Sequence, residues 1–198
     1  MAFEYAVALT GGIATGKSTV KSLMSLYGFR AIDADAIAHQ VLNEQSTTIA
    51  NTFGKEYIDN SGKVKRKELG RYIFANKEAK KELESILHPL IKDEITRQSH
   101  YQDSFKKPYF IDIPLFFETK NYPIDYSVVV YAPFEIQLQR VIKRDNLTQQ
   151  EAVLRIKSQL DIEKKRDLAT WVIDNSKDLS HLQNECERIK NIIIKSIK

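Results

Sequence analysis

Eight residues near the amino terminus restrict this chain more than any other stretch. Gly11-Gly12-Ile13-Ala14-Thr15-Gly16-Lys17-Ser18 spells G-x-x-x-x-G-K-S, and Thr19 follows. The short apolar run Tyr5-Ala6-Val7-Ala8-Leu9 leads into it, as expected of a strand buried on both faces. Val20, Leu23, Met24 and Tyr27 then recur at helical spacing until Gly28. A glycine loop between a strand and a helix turns successive backbone N–H groups toward an anion, and the helix end adds about half a positive charge. Lys17 in such a loop sits between the β- and γ-phosphates, and the Ser18 hydroxyl ligates Mg²⁺. A glycine turn that merely happened to carry Lys-Ser would not need that strand and helix beside it. The loop is read as a nucleoside triphosphate site.

The rest of the chain extends the same alternation. Phe29–Ile32, Tyr109–Ile113, Ser127–Ala132 and Trp171–Asp174 are further candidate strands. With the first run they predict a five-stranded parallel sheet flanked by helices, in one α/β domain. Between Asp35 and about Tyr101 the strand signals fade into helical periodicity, with Pro89 predicting a break or kink near His88. A charged helical segment covers roughly Phe134 to Leu168, and Leu182, Cys186, Ile189, Ile193 and Ile197 form the stripe of a last amphipathic helix. The expected organisation is one 198-residue domain: a core of about 1–34, 106–134 and 168–198, a helical insertion of about 35–105 and a lid of about 135–167.

Composition matters mainly for what it excludes. Apolar residues are 42% and charged residues 28%, enough apolar surface for a packed domain. One cysteine, Cys186, rules out an intramolecular disulfide and an all-cysteine metal site, and fits a reducing, cytoplasmic setting. No stretch of about 18 apolar residues exists and the first residues carry no basic leader, so neither a membrane span nor a secretory signal is expected. The net charge of +4 permits an anionic partner. Basic residues alternate with acidic ones and aromatics fall within apolar runs, which argues against a nucleic-acid surface.

Among triphosphate binders, a GTPase needs a guanine-reading N-K-x-D. The only similar run, Asn76-Lys77-Glu78-Ala79, lacks the carboxylate, and Asp59-Asn60-Ser61-Gly62 reads as a turn. A kinase needs a base, extra cations and a cover. Asp33 ends the second strand, where a carboxylate would face the ligand crevice and accept a hydroxyl proton. The rival role for Asp33 or Asp35 is to cap the next helix. Arg140 and Arg144 stand one helical turn apart, as a phosphate clamp or as part of a solvated face with Asp145, Glu151, Asp161 and Glu163. Asp112 either holds Mg²⁺ through water or is a polar strand end.

Taken in order, these residues resemble the dephospho-coenzyme A kinase family. The resemblance is carried by Leu9-Thr10-Gly11-Gly12-Ile13, Lys17, Ile32-Asp33-Ala34-Asp35 with Ala38 and Val41, and His88-Pro89-Leu90-Ile91. It continues through Pro114-Leu115-Phe116-Phe117-Glu118, Arg140, Arg144-Asp145, Arg155-Ile156, Gln159 and Val172-Ile173-Asp174-Asn175. It implies a P-loop kinase fold with a helical acceptor-binding insertion and a helical lid, and ATP-dependent phosphorylation of the 3′-hydroxyl of the dephospho-coenzyme A ribose. The implied cofactors are ATP and Mg²⁺, with no nucleic-acid or membrane partner.

By the same resemblance Asp33 is the base, and Lys17, Arg140 and Arg144 form the phosphate clamp. Asn175 lies near the adenine through its backbone. Thr10, Asp33, Asp35, His88, Leu115, Phe116 and Glu118 line the acceptor site. Two departures stand out: Ala14-Thr15 replaces the family's usual Gly-Ser, and Phe116 replaces the commoner leucine. Alanine restricts the loop backbone more than glycine does.

Overall fold

The computed structural model of the protein describes residues 2–197. In chain order the elements are β1 (Ala6–Gly11), α1 (Lys17–Leu26), β2 (Ala31–Asp33), α2 (Ala34–Glu44), α3 (Ser46–Phe53), α4 (Arg66–Ala75), α5 (Lys77–Asp103) and β3 (Tyr109–Asp112). They continue with α6 (Phe116–Thr119), β4 (Tyr126–Tyr131), α7 (Phe134–Asp145), α8 (Gln149–Lys157), α9 (Ile162–Leu168), β5 (Trp171–Asp174) and α10 (Leu179–Ser196). The chain separates into two compact units, Met1–Ile32 with Ser99–Lys198, and Asp33–Gln98.

The five strands form one parallel sheet in the order β2-β3-β1-β4-β5. Every residue of β1 and β3 is buried, as a strand covered by helices on both faces must be. Register sets Leu9 beside Asp112 and Gly11 beside Val130, so the carboxyl ends of three strands meet at one edge. That edge is where open α/β sheets bind ligands. The Tyr126 and Trp171 rings stack at 5.3 Å across β4 and β5. Helix α10 packs on β5 and α1 and buries Leu182, Cys186, Ile189 and Ile193, the expected stripe. Burial pushes the Cys186 thiol up to about 11, so it is a packing group with almost no thiolate at neutral pH.

The charged helical segment from 134 to 168 consists of three helices. Asn146 ends α7 in the left-handed region at φ 51°. Thr148 and Glu151 then form a capping box at the start of α8, and Asp161 caps α9. None of the described helices is long and apolar enough to cross a membrane.

The helical unit has its own small core of Ile49, Val64 and Leu69, with Leu42, Phe53, Tyr57, Ile58, Ile73 and Leu83 packed around it. Full burial of one such aliphatic side chain contributes about 1.5–3 kcal/mol. The D-x-x-G run is the expected turn: the Asp59 carboxylate accepts from the backbone N–H groups of Ser61 and Lys63, and Gly62 turns at φ 80°.

Pro89 does not break the helix. α5 runs unbroken from Lys77 to Asp103 with the proline inside it, so the break expected near His88 does not occur. His88, Pro89 and Leu90 are exposed, while Leu87 and Ile95 are buried on either side of them. The missing N–H therefore falls on the solvent side, and packing of the inner face carries the helix through.

Candidate active site

β1 runs straight into the glycine loop. Thr10, wholly buried, donates its hydroxyl to the Pro114 carbonyl at 3.0 Å. Beyond Gly11 the chain curls over itself, with the Thr15 hydroxyl on the Gly12 carbonyl at 2.9 Å. Gly16 lies at φ 92°, and a Cβ there would run into the Asn175 amide, so only glycine fits. Ala14 takes the left-handed region as well, at φ 57°. For an alanine that conformation costs roughly 1–2 kcal/mol, held in place by the surrounding loop.

Helix α1 starts at Lys17 without a side-chain cap. Side chains of Asp33, Thr148, Asp161 and Asp178 cap α2, α8, α9 and α10. α3, α4, α6 and α7 also start without a side-chain cap, so it is the glycine loop leading into α1, together with the field at its N-terminus, that suits an anion.

Side chains from distant segments brace the loop. Gln159 accepts from the Ile13 N–H at 2.9 Å, and Asn175 donates its amide to the Thr15 carbonyl at 2.8 Å. Lys165 donates to the Gly11 carbonyl at 3.2 Å. Gln137, 1% exposed, donates to the Ala132 carbonyl, and a Cβ on Gly12 would lie 2.6 Å from its other amide atom. A loop held this way reaches its ligand already shaped.

Cations gather at the same edge. Lys17 pairs with Asp112, the last residue of β3, and Lys21 reaches the other oxygen of that carboxylate at 2.9 Å. Asp112 is 4% exposed, so a single buried carboxylate is shared by two ammonium groups. Arg140 donates to the Asn175 carbonyl at 3.0 Å, while its other terminal nitrogen is buried without an acceptor. Arg144 lies instead on Asp145, forked at 2.8 and 2.9 Å, and Arg155 shares that carboxylate at 2.7 Å. The Arg144 hydrogen bonds hold Asp145 below the usual carboxylate range.

The remaining expected residues fall as follows. Ser18 and Thr19 are exposed on the first turn of α1. Asp33 caps α2, accepting from the Ala36 N–H at 3.0 Å, whereas Asp35 is exposed within the first turn; the capping carboxylate is therefore Asp33. Leu115 is 41% exposed beside Phe116, whose ring stands 5.2 Å from that of Phe117. Glu118 accepts from the Leu160 N–H at 3.0 Å and pairs with Lys165 at 2.8 Å. Asn175 uses its backbone N–H on the Tyr131 carbonyl and its own carbonyl on Arg140. His88 is exposed on α5 in the helical unit.

Sequence reasoning passed over Lys165, Lys21 and Gln137. Lys165 hides in the run Glu163-Lys164-Lys165-Arg166, which reads as a solvated face. Its one signal is phase, since it stands three residues after Ile162 and these two are the buried residues of α9.

The observed side chains fit ATP with Mg²⁺. An uncapped helix end, an arginine nitrogen buried without an acceptor, and two lysines on one carboxylate suit a polyphosphate. No group of three His, Cys, Asp or Glu among the described residues forms a metal cage. Magnesium suits such a place, because it is ordinarily held by few protein groups together with phosphate oxygens and water. Fold and loop together define a phosphate-loop kinase. Shikimate kinase from Acinetobacter baumannii shares the fold with a TM-score of 0.54 at 17% identity, covering 98% of this chain and 95% of that one.

Closer relatives narrow the class. A family model for dephospho-CoA kinase matches residues 5–181, and the chain belongs to that family. The dephospho-CoA kinase of Sulfurimonas denitrificans is 58% identical over 187 residues, covering 94% of this chain and 93% of the relative. The solved structure of dephospho-CoA kinase from Campylobacter jejuni matches with a TM-score of 0.77 at 36% identity, covering 96% and 98% of the two chains. TT1252 from Thermus thermophilus matches with a TM-score of 0.80 at 29% identity over 94% and 96%.

Proposed function

We propose that this chain transfers the γ-phosphoryl group of ATP to the 3′-hydroxyl of the dephospho-coenzyme A ribose, giving coenzyme A and ADP. The observation that carries the reading is the braced loop Gly11–Ser18 at an uncapped helix end, in a chain of this family. The triphosphate lies along Gly11, Gly12, Ile13, Ala14, Thr15, Gly16, Lys17, Ser18 and Thr19, with the N–H groups at the very start of α1 directed at its oxygens while the Ile13 N–H stays on Gln159. Lys17 exchanges Asp112 for the transferring phosphoryl group, and Asp112 keeps Lys21. Arg140 offers its unpartnered nitrogen, and Arg144 leaves Asp145 to neutralise the equatorial oxygens.

Ser18 would hold Mg²⁺, which would supply neutralisation of phosphate charge. Asp33 accepts the proton of the attacking hydroxyl while keeping its cap on α2. Asp35, His88, Leu115 and Phe116 serve the acceptor, with Thr10 behind them on the Pro114 carbonyl; the helices from 35 to 105 form its binding region, and residues 135–167 close over the reacting groups to exclude water. Asn175 supports the adenine end of the nucleotide. Both partners are small molecules rather than nucleic acid, and a cytoplasmic location agrees with a single buried thiol.

The deciding experiment is coupled ADP release by the purified protein with Mg²⁺-ATP, with and without dephospho-coenzyme A, the product identified by mass. Release that needs the acceptor and yields coenzyme A supports the reading; release indifferent to it removes the substrate assignment. Asp33→Asn keeps an oxygen for the helix cap and deletes the base. It should fold normally and lose about 10²–10⁴ of turnover.

A further inference from the structure

Lysines are almost never fully buried unless paired, yet Lys165 is 0% exposed. Its ammonium has three donors and meets three oxygens: the Gly11 carbonyl at 3.2 Å, the Pro114 carbonyl at 3.1 Å and Glu118 Oε1 at 2.8 Å. The acceptors come from two working parts, and Lys165 itself stands on a third. Gly11 opens the phosphate loop, Pro114 opens the turn that follows β3, and Glu118 Oε1 also takes the Leu160 N–H at the base of α9. Pro114 further receives the Thr10 hydroxyl. A compact ammonium can serve three converging oxygens at once, whereas a planar guanidinium forks toward one or two groups.

We infer that Lys165 is a positioning residue that holds the phosphate loop, the Pro114–Glu118 turn and the 160–168 segment in one arrangement, with Glu118 as its counter-ion. The inference rests on the kinase reading above. It gives Glu118 a task different from acceptor binding: its carboxylate ties the α8–α9 connection to the turn that presents Leu115 and Phe116. Lys165 touches no reacting atom. It acts by keeping donor and acceptor loops in register, so its loss should slow transfer far more than it weakens nucleotide binding.

The test compares the full-length wild type with Lys165→Met, Glu118→Gln and the double variant, all checked for folding by circular dichroism. Single-turnover transfer, ADP affinity and hydrogen exchange at the Leu160 amide are measured. Each single variant should transfer about ten- to a hundredfold more slowly per folded molecule, with the ADP Kd within about threefold of wild type. The double variant should be no slower than the slower single one, because the two groups act together, and the Leu160 amide should exchange faster in all three.

Full transfer rates in folded variants, losses that multiply in the double variant, or a loss that merely follows the folded fraction would each overturn the inference. If Lys165→Met does not fold, Glu118→Gln decides alone: an unchanged rate with a still-protected Leu160 amide overturns it. A wild type that makes no coenzyme A would sink the kinase reading itself. A working wild type beside equally fast variants sinks only the role of Lys165.

Discussion

The phosphate-loop end of the sheet unit and the helical unit of residues 33–98 spend their polar groups differently. Around the loop, Lys17 with Asp112, Ile13 with Gln159, Gly11 with Lys165 and Thr15 with Asn175 join residues 95 to 160 positions apart. In the helical unit most polar pairs are local and exposed, such as Gln40 with Glu44, Lys80 with Glu84 and Arg97 with Glu94. Its longer links are few, among them Asn43 with the Val64 N–H and His39 with Arg66. Long-range pairs fix a loop only when the whole sheet is folded, whereas local helix pairs persist through partial opening. The sheet end is therefore built to hold a shape, and the helical unit has the character of a region that can yield.

The largest expected effect isolates chemistry from fold. Lys17→Ala should cut turnover by about 10³-fold while leaving the melting temperature within a few degrees, because Asp112 keeps Lys21. Coupled ADP release beside a thermal melt checks both halves, and a collapse of stability would show that the lysine is structural.

Next comes the core of the helical unit. Ile49→Ala should cost about 2–5 kcal/mol, read in urea unfolding. If the units differ as described, ADP affinity should survive at denaturant concentrations where acceptor-dependent turnover has gone; simultaneous loss of the two would erase the contrast.

A smaller effect probes the brace. Asn175→Ala leaves the Thr15 carbonyl without its partner and should cost about 1–3 kcal/mol. The loss should appear chiefly as weaker ADP binding in titration calorimetry, and unchanged affinity would show that the loop holds itself.

The smallest concerns acid. Hydrogen bonds from Arg97, and then Gln98, lower the Glu94 carboxyl from 4.5 to about 2. A lowered folded pKa gives stability that is complete above about pH 4.5 and fades as pH falls toward about 2. For a pair this exposed it amounts to less than about 1 kcal/mol. Glu94→Gln should therefore be slightly less stable than wild type at pH 6 and converge with it near pH 2.5, measured by urea midpoints. A constant gap would assign the difference to packing.

Some of this was legible in the residues. The strand–loop–helix around Gly11–Ser18, the apolar runs of the sheet and the stripe of α10 follow from local periodicity, which needs no knowledge of the fold. Pro89 misled, because the cost of a proline depends on which helix face it occupies, and only packing reveals that. Asp33 was weighed as base or cap, and its bond to the Ala36 N–H shows the cap.

Arg140 and Arg144 share a helix face by sequence spacing, yet one is drawn to Asn175 and the other to Asp145. Lys165 and Lys21 passed as solvated charge. Whether a lysine points at water or at a buried oxygen is set by segments far away in the chain, 51 residues for Pro114 and 154 for Gly11 in the case of Lys165. The sequence by itself determined the class of fold and the loop that receives a triphosphate, since both depend on patterns a few residues long. Only the tertiary structure decided which charges converge on that loop and which brace it, because burial and pairing belong to strands and helices brought together across the chain.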